Sequence, residues 1–309
     1  MPASIQEFGE KLTANVENVI LGKRSAVLLV AVALLCEGHI LLEDVPGVGK
    51  TMLSRAVARS LDCSFARVQC TPDLLPSDLV GVSIFHPGKG EFQFRPGPVH
   101  HQIVLCDEIN RATPKTQSAL LECMEERQVT VDGQSYAMPR PFLVLATQNS
   151  IEFEGTFPLP EAQLDRFLLK IKMGYPDLGS EIAMLETHAG DGVLQQLEPI
   201  LTGPGLLELR QQLQQVRVDE RLREYLVTFV QATRLQPGLR LGASPRGSLA
   251  LFRSSQAWAA LQGRSYVIPD DIQAMALPAL AHRLLVHGAS AGLAESALTK
   301  LLEQHPVPV

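Results

Sequence analysis

The stretch EDVPGVGKT, Glu43–Thr51, has the residue types of a phosphate-binding loop. In the general pattern G-x-x-x-x-G-K-[ST], loop amides cradle phosphate oxygens, the lysine reaches the β- and γ-phosphates, and the hydroxyl ligates Mg²⁺. Gly49, Lys50 and Thr51 match this pattern, but Asp44 stands where its first glycine belongs. We expect the Asp44 side chain to turn away from the phosphates, because the backbone amides that follow it make the contacts.

The predicted nucleotide-binding residues are those whose amides or side chains would surround the phosphates. They are Val45, Pro46, Gly47, Val48, Gly49, Lys50, Thr51 and Met52. The glycines allow the backbone to approach an anion closely. The apolar run HILLE before the loop and the helical pattern MLSRAVARSL after it give the strand–loop–helix context that a phosphate site needs.

A second acidic motif, IVLCDE at Ile103–Glu108, consists of four apolar residues followed by two acids. This is the Walker B arrangement, in which the aspartate holds Mg²⁺. Thr51 and Asp107 are therefore the predicted metal ligands. Glu108 is the predicted general base that would polarise an attacking water.

Three further polar residues stand where they could act on a nucleotide. Asn149 ends the run ATQN and could orient the lytic water. Arg166, in LPEAQLDRF, could be supplied to a neighbouring subunit's nucleotide as a transition-state charge. Arg246, in GASPRG, could sense the nucleotide from a mobile lid. Each also has a simpler reading as a turn residue, a surface arginine or a helix cap.

Alternating strands and helices must position these residues. The predicted strands are His39–Glu43, Ser64–Cys70, Ile103–Glu108, Pro141–Asn149 and Phe167–Met173. The predicted helices in the same region include Ser4–Ile20, Arg24–Glu37 and Pro114–Glu126. This alternation predicts an α/β fold with a parallel sheet covered on both faces.

Two stretches interrupt the alternation. Phe85–Val99 and Gln128–Met138 are predicted hairpins, the second with Asp-Gly at its turn. After about residue 175 the strand signals nearly vanish and the sequence becomes helical. We therefore predict two domains, a nucleotide-binding domain at residues 1–174 and a helical lid at residues 175–309.

The length, charge and composition of the chain exclude few functions, but they make some less favoured. The chain of 309 residues carries a net charge of −6, which argues against general attraction to nucleic acid or anionic membranes. Its five cysteines include no C-x-x-C pair, as expected for reduced thiols. The longest apolar run, Ala26–Cys36, is too short to span a bilayer, and no cleavable signal pattern opens the chain. We expect a cytoplasmic protein.

Together these motifs resemble the AAA+ ATPases, and specifically the MoxR family. The match runs from EDVPGVGKT through CDEINRATPKTQSALLECMEERQVTVDG and ATQNSIEFEGTFPLPEAQLDRF to GASPRG. The resemblance implies a P-loop AAA+ core whose five parallel strands have the order 5-1-4-3-2, with an all-α lid after it. It also implies ATP and Mg²⁺ as ligands, and a hexameric ring with nucleotide held between subunits.

The same resemblance implies roles for single residues. Asn149 is similar to the sensor-1 residue, Arg166 to the arginine finger and Arg246 to the sensor-2 residue. Ile20 and Gly22 fall where the adenine is usually held. The resemblance leaves open the role of Arg111 and whether the sensor-2 arginine acts on its own subunit's nucleotide.

At the level of function, the resemblance implies a chaperone-type remodeller. Such proteins help mature metal- or cofactor-containing enzymes, often with a partner that bears a von Willebrand factor A domain. The hairpins would project toward the pore or the client. Two alternatives stay open, a nucleic-acid motor and a chelatase-type ATPase subunit. Lys89 and Arg95 near the first hairpin weakly support the motor.

Overall fold

The structure, a computed structural model, describes residues 4–149, 155–187, 191–287 and 292–307. Its strands are β1 Ile40–Glu43, β2 Phe65–Gln69, β3 Gly81–His86, β4 Glu91–Pro96, β5 Ile103–Asp107, β6 Gln128–Val131, β7 Gln134–Ala137, β8 Leu143–Gln148, β9 Leu169–Ile171, β10 Leu239–Leu241 and β11 Leu285–Val286. Its α-helices are α1 Ile5–Glu17, α2 Arg24–Leu35, α3 Lys50–Ser60, α4 Pro76–Val80, α5 Pro114–Glu126, α6 Glu161–Leu164, α7 Leu178–Thr187, α8 Asp191–Gln196, α9 Gly203–Leu213, α10 Glu220–Thr233, α11 Pro245–Leu261, α12 Pro269–Leu280 and α13 Leu293–Gln304.

A five-stranded parallel sheet forms the centre of the first part of the chain. Its strand order is β2-β5-β8-β1-β9, and every neighbouring pair in it is parallel. Counting only these five strands along the chain gives 5-1-4-3-2, so the predicted order is confirmed. The strands are shorter than predicted, and the last of them is confined to Leu169–Ile171 rather than Phe167–Met173.

The sheet is buried on both faces because its strands are apolar at successive positions. Ile103 and Leu105 of β5 belong to one hydrophobic core, whereas Val104 and Cys106 belong to the other. This alternation follows from the two-residue period of side chains along a strand. With both faces covered, the sheet presents functional groups only at its edges and strand ends.

Local sequence signals fix several helix starts. The Ser4 hydroxyl accepts a hydrogen bond from the Glu7 amide at the start of α1, as expected for an N-cap serine. Helix α5 spans the predicted Pro114–Glu126, and its N-cap Thr113 accepts from the Thr116 amide. No helix in the described part of the chain is both long and apolar enough to cross a membrane.

Both predicted hairpins are present. The first pairs β3 with β4 and begins at Gly81, four residues before its predicted start at Phe85. The second pairs β6 with β7 and turns at Asp132 and Gly133, both with positive φ, as a two-residue turn of type I′ requires. A stacked ring pair, Phe94 on Tyr136 with centroids 3.9 Å apart, joins the two hairpins.

The second part of the chain is predominantly helical, as predicted, but β10 and β11 form a short antiparallel pair that had no sequence signal. This part packs closely on the first. The Ile200 amide donates to the Ser60 carbonyl at 2.8 Å, and Arg210 pairs with Glu37. The domain boundary near residue 175 remains a prediction.

Candidate nucleotide site and arginine junction

The predicted phosphate loop lies between β1 and α3, at the carboxyl end of the central strands. Gly47 and Gly49 have φ values of 84° and 90°, a left-handed region that only glycine adopts without strain. Gly49 caps α3 directly, so Lys50 and Thr51 begin the helix. The loop amides and the positive end of the helix dipole therefore face the same space, as an anion site requires.

A cavity of about 350 Å³ occupies that space. Its lining residues are Pro46, Gly47, Gly49, Lys50, Thr51, Met52, Arg67, Asp107, Glu108, Thr147 and Asn149. The structure thus brings together, from four separate sequence segments, most of the residues that were predicted to contact nucleotide or metal.

Lys50 contributes a half-buried positive charge to this cavity. Its Nζ donates to the carbonyl oxygens of Asp44 at 2.8 Å and Val45 at 3.2 Å. Burial lowers the pKa of Lys50, and the negative charges of Asp44, Asp107 and Glu108 oppose that shift. A phosphate would supply the opposite charge that the buried ammonium lacks.

The two Walker B carboxylates are held by different partners. Asp107 accepts the Thr147 hydroxyl through Oδ1 at 2.6 Å, and its Oδ2 pairs with Arg67 at 2.7 Å. The Thr147 hydroxyl oxygen also accepts the Glu108 amide at 2.8 Å. One buried threonine on β8 therefore fixes the positions of both acids, Asp107 at the end of β5 and Glu108 directly after it.

Glu108 itself follows β5 with a φ of 57°, an uncommon left-handed conformation for a non-glycine residue. Its Oε2 accepts Gln69 at 2.8 Å and Arg111 at 3.1 Å. Within the described residues, Oε1 has no hydrogen-bond partner, so it can accept a proton from water. Arg111, whose role the sequence left open, is an ion-pair partner of Glu108.

Asp44 is oriented away from the cavity, as predicted. Its Oδ2 accepts the amides of Met173 and Gly174, both at 2.6 Å, and Oδ1 accepts the Val45 amide at 2.9 Å. The carbonyls of the same Met173 and Gly174 accept the buried Lys23 ammonium at 2.9 Å each. Asp44 thus fastens the loop to the segment where the second domain is predicted to begin.

Four of the predicted nucleotide contacts lie beside the cavity rather than in its lining. Val45, Val48 and Ile20 pack in the hydrophobic core under the loop, and Ile20 approaches Gly49. Gly22 faces α7, because a Cβ atom there would lie 2.4 Å from the Ser180 hydroxyl. The structure therefore places Ile20 at the base of the loop and Gly22 against the second part of the chain.

Arg166 and Arg246 are also outside the lining of this chain's cavity. Both bind one carboxylate, Glu125 at the end of α5. Arg166 Nε lies 3.1 Å from Glu125 Oε2, and Arg246 Nη2 lies 2.5 Å from Glu125 Oε1. The two arginines come from different parts of the chain, so we call this cluster of Glu125, Arg166 and Arg246 the arginine junction.

A buried ion pair lies beside the junction, formed by Asp165, the residue that directly precedes Arg166. Asp165 accepts Arg283 Nε at 2.7 Å and the Ser244 hydroxyl at 2.9 Å. The Arg283 side chain is only 4% exposed. Sequence reasoning missed Glu125, Asp165 and Arg283, because nothing local in the sequence signals a pairing between residues this far apart in the chain.

The fold and the site together define a P-loop ATPase of the AAA+ class. A family model described as "ATPase family associated with various cellular activities (AAA)" matches residues 39–169. A second model, described as "AAA lid domain", matches residues 231–300. The matched segments contain the loop, both Walker B acids, the predicted finger Arg166 and the predicted lid arginine Arg246.

Relatives narrow the class further. The chain is 52% identical to protein YeaC of Bacillus subtilis over 90% of this chain and 87% of that relative. It is 42% identical to the protein named Chaperone MoxR1 of Mycobacterium tuberculosis, over 90% of this chain and 75% of that relative. A crystal structure from Cytophaga hutchinsonii, described as a candidate ATPase, superposes with a TM-score of 0.90 at 36% identity. It covers 99% of this chain and 96% of that one.

The chain therefore belongs to the MoxR family of AAA+ ATPases, and it hydrolyses ATP.

Proposed function

We propose that this ATPase remodels a protein client, and that each of its catalytic sites is completed by arginines from a neighbouring subunit in a ring. The arginine junction is the observation that supports sharing of the catalytic site between subunits. Arg166 and Arg246 are held together on Glu125, apart from the lining of their own chain's cavity. The AAA+ class generally assembles as a ring, and a head-to-tail ring contact can bring the junction of one subunit to the cavity of the next.

Within one subunit, the loop amides from Val45 to Thr51 and the Lys50 ammonium would bind the phosphates of ATP. Asn149, at the end of β8 in the cavity lining, would orient the attacking water. Glu108 would take the water's proton through Oε1 while Gln69 and Arg111 hold Oε2.

The donor set also fits Mg²⁺, which prefers oxygen ligands. The Thr51 hydroxyl and the Asp107 carboxylate line the same cavity, and Thr147 already orients Asp107. When bound, the ion would neutralise charge on the β- and γ-phosphates. Arg67, now paired with Asp107, would be free to contact a phosphate oxygen instead.

The remodelling part of the proposal rests on the first hairpin and on the relative named Chaperone MoxR1. At its tip Phe85 is 49% and Phe92 73% exposed, in an edge-to-face pair. Exposed aromatic side chains on a hairpin are suited to grip an unfolded or apolar segment of a client. A hexameric ring, a partner with a von Willebrand factor A domain and a cytoplasmic location belong to the same proposal.

The first test compares Arg166→Ala with Arg240→Ala. Arg240 is an exposed arginine of the second part of the chain, with no ion pair among the described residues. We expect Arg166→Ala to bind ATP as the wild type does and to hydrolyse it at least ~100-fold more slowly. Arg240→Ala should bind and hydrolyse ATP as the wild type does. Full ATPase activity in Arg166→Ala would refute the shared site.

The second test addresses the client. In the presence of ATP, the Glu108→Gln protein should retain a client protein that Lys50→Ala does not. Adding Phe92→Ser to Glu108→Gln should weaken that retention, because it removes the most exposed aromatic ring of the hairpin. Equal retention by all three variants would contradict a nucleotide-dependent grip.

A further inference from the structure

We propose that Glu125 is a positioning residue for catalysis in the neighbouring subunit, because it holds Arg166 and Arg246 side by side as one unit. This inference rests on the proposed shared site and adds a residue to it. Glu125 is not among the residues that line the cavity. It would therefore act only through the two arginines.

The geometry divides one carboxylate between two guanidinium groups. Oε2 takes Arg166 at Nε, and Oε1 takes Arg246 at Nη2. Each arginine uses a single donor for this contact out of the five that a guanidinium carries. Within the described residues, both Nη groups of Arg166 and Nη1 of Arg246 have no other partner, so they remain able to bind phosphate oxygens.

Charge favours the same role. The three residues together carry one net positive charge, because one carboxylate offsets only one of the two guanidinium groups. Two unpartnered arginines this close would repel each other. Glu125 removes that repulsion and leaves the pair attractive to an anion, which is what a site that must receive a γ-phosphate needs.

The backbones beneath the junction are held independently of Glu125. Asp165 binds Ser244 and the buried Arg283. Asp165 directly precedes Arg166, and Ser244 lies two residues before Arg246. Side chains in the junction are 29% to 56% exposed, and exposed ion pairs contribute little to stability. Removing the Glu125 charge should therefore loosen the arginine side chains without separating the two parts of the chain.

The test uses Glu125→Gln, with Glu126→Gln as the matched control. Glu126 is the next residue of the same helix, exposed and without an ion pair among the described residues. We expect Glu125→Gln to lower kcat about three- to tenfold while KM and the melting temperature stay near wild type. Glu126→Gln should change none of the three. Wild-type or higher kcat in Glu125→Gln would overturn the inference.

A mixing experiment separates positioning from a merely structural role. In rings made from Glu125→Gln and Glu108→Gln subunits, some sites pair an intact Glu108 with intact arginines from the neighbour. The mixture should therefore hydrolyse ATP faster than the mean of the two parent proteins. A mixture that equals the mean would show that Glu125 acts within its own subunit, and the inference would fail.

A parallel mixture of Arg166→Ala and Glu108→Gln keeps this failure distinct from failure of the shared site. If that mixture gains activity and the Glu125→Gln mixture does not, Glu125 has no positioning role and the shared site stands. If neither gains activity, the arginines do not act on a neighbour, and both proposals fall.

Discussion

The nucleotide cavity and the arginine junction differ in how their charges are partnered. In the cavity, each Walker B acid has an arginine from the same domain: Arg67 pairs with Asp107, and Arg111 with Glu108. At the junction, by contrast, two arginines share the single acid Glu125. The cavity's arginines are committed to acids, whereas the junction has donors to spare.

This difference indicates a division of labour between two surfaces of one chain. The cavity has what is needed to bind a nucleotide and activate water, but its lining contains neither the predicted arginine finger Arg166 nor the predicted sensor Arg246. The junction has cationic groups but no phosphate loop. Under the proposed shared site, each surface supplies what the other lacks when two copies of the chain meet head to tail.

The largest expected effect comes from removing one positive charge in each region. Lys50→Ala should weaken ATP binding by about 100-fold or more, because the ammonium is half-buried beside the loop amides that would bind the phosphates. Arg166→Ala should leave ATP affinity within about threefold of wild type, since it contacts no part of its own cavity. Equilibrium binding of a fluorescent ATP analogue measures both. Equal losses of affinity would erase the distinction between the regions.

Arg246→Ala should have the next largest effect, a fall in kcat of about 10- to 100-fold with KM nearly constant. This pattern is expected if the lid arginine acts only on a neighbour's transition state. Steady-state ATPase kinetics measures kcat and KM of Arg246→Ala, with Arg240→Ala as the control. A rise in KM at unchanged kcat would instead show that Arg246 contributes to ground-state binding of ATP and not to the transition state.

Asp44→Ala should lower the stability of the protein and leave its ATP affinity nearly unchanged. The Asp44 carboxylate accepts three backbone amides, and hydrogen bonds to a charged group contribute about 1.5–3 kcal/mol each. We expect the free energy of unfolding to fall by about 2 kcal/mol or more, and ATP affinity to change by less than about tenfold. Urea unfolding and ATP titration test this. Glu125→Gln should show the opposite pattern, with altered turnover and unaltered stability.

The smallest effect concerns pH. Burial and the Arg283 charge lower the pKa of His282 well below its usual range. The folded protein therefore keeps this histidine neutral, while the unfolded chain binds a proton below about pH 6.5. Stability should be fully present above that pH and should fall as pH drops through it. For one such histidine the loss is about 0.7 kcal/mol between pH 7 and pH 6.

Urea unfolding of the wild type and His282→Gln at both pH values isolates this contribution. The buried His39, whose pKa burial lowers to about 4, should still give the variant part of the wild-type slope. An identical pH dependence in the two proteins would contradict a neutral His282 behind the arginine junction. The cavity lining contains no histidine, so ATP binding should not follow the same curve.

The cavity could be predicted from sequence because its signals are local. Gly49, Lys50 and Thr51 identify the loop, and the acids Asp107 and Glu108 end an apolar strand. In a parallel sheet, residues at the carboxyl ends of neighbouring strands must meet at one edge. The strand order was implied by the family resemblance, and the structure confirms it. The structure also places these five residues around one cavity.

The junction could not be assembled in the same way. Arg166 and Arg246 were identified by resemblance, but their shared partner Glu125 ends an amphipathic helix among other glutamates and had no distinguishing feature. Likewise, Asp44 was expected to turn away from the phosphates, but its partners were not predicted. They are Met173 and Gly174, which follow Asp44 by 129 and 130 residues. Such pairings join residues that lie far apart in the sequence, and no sequence period encodes them.

The most direct test of the division between cavity and junction is the ATPase rate of a one-to-one mixture of Arg166→Ala and Glu108→Gln. Each protein alone should be nearly inactive. In mixed rings, about one interface in four combines an intact Glu108 with an intact Arg166 from the neighbour. We predict that mixing raises the rate well above either parent, toward about a quarter of wild type. A mixture as inactive as its parents would contradict the shared site.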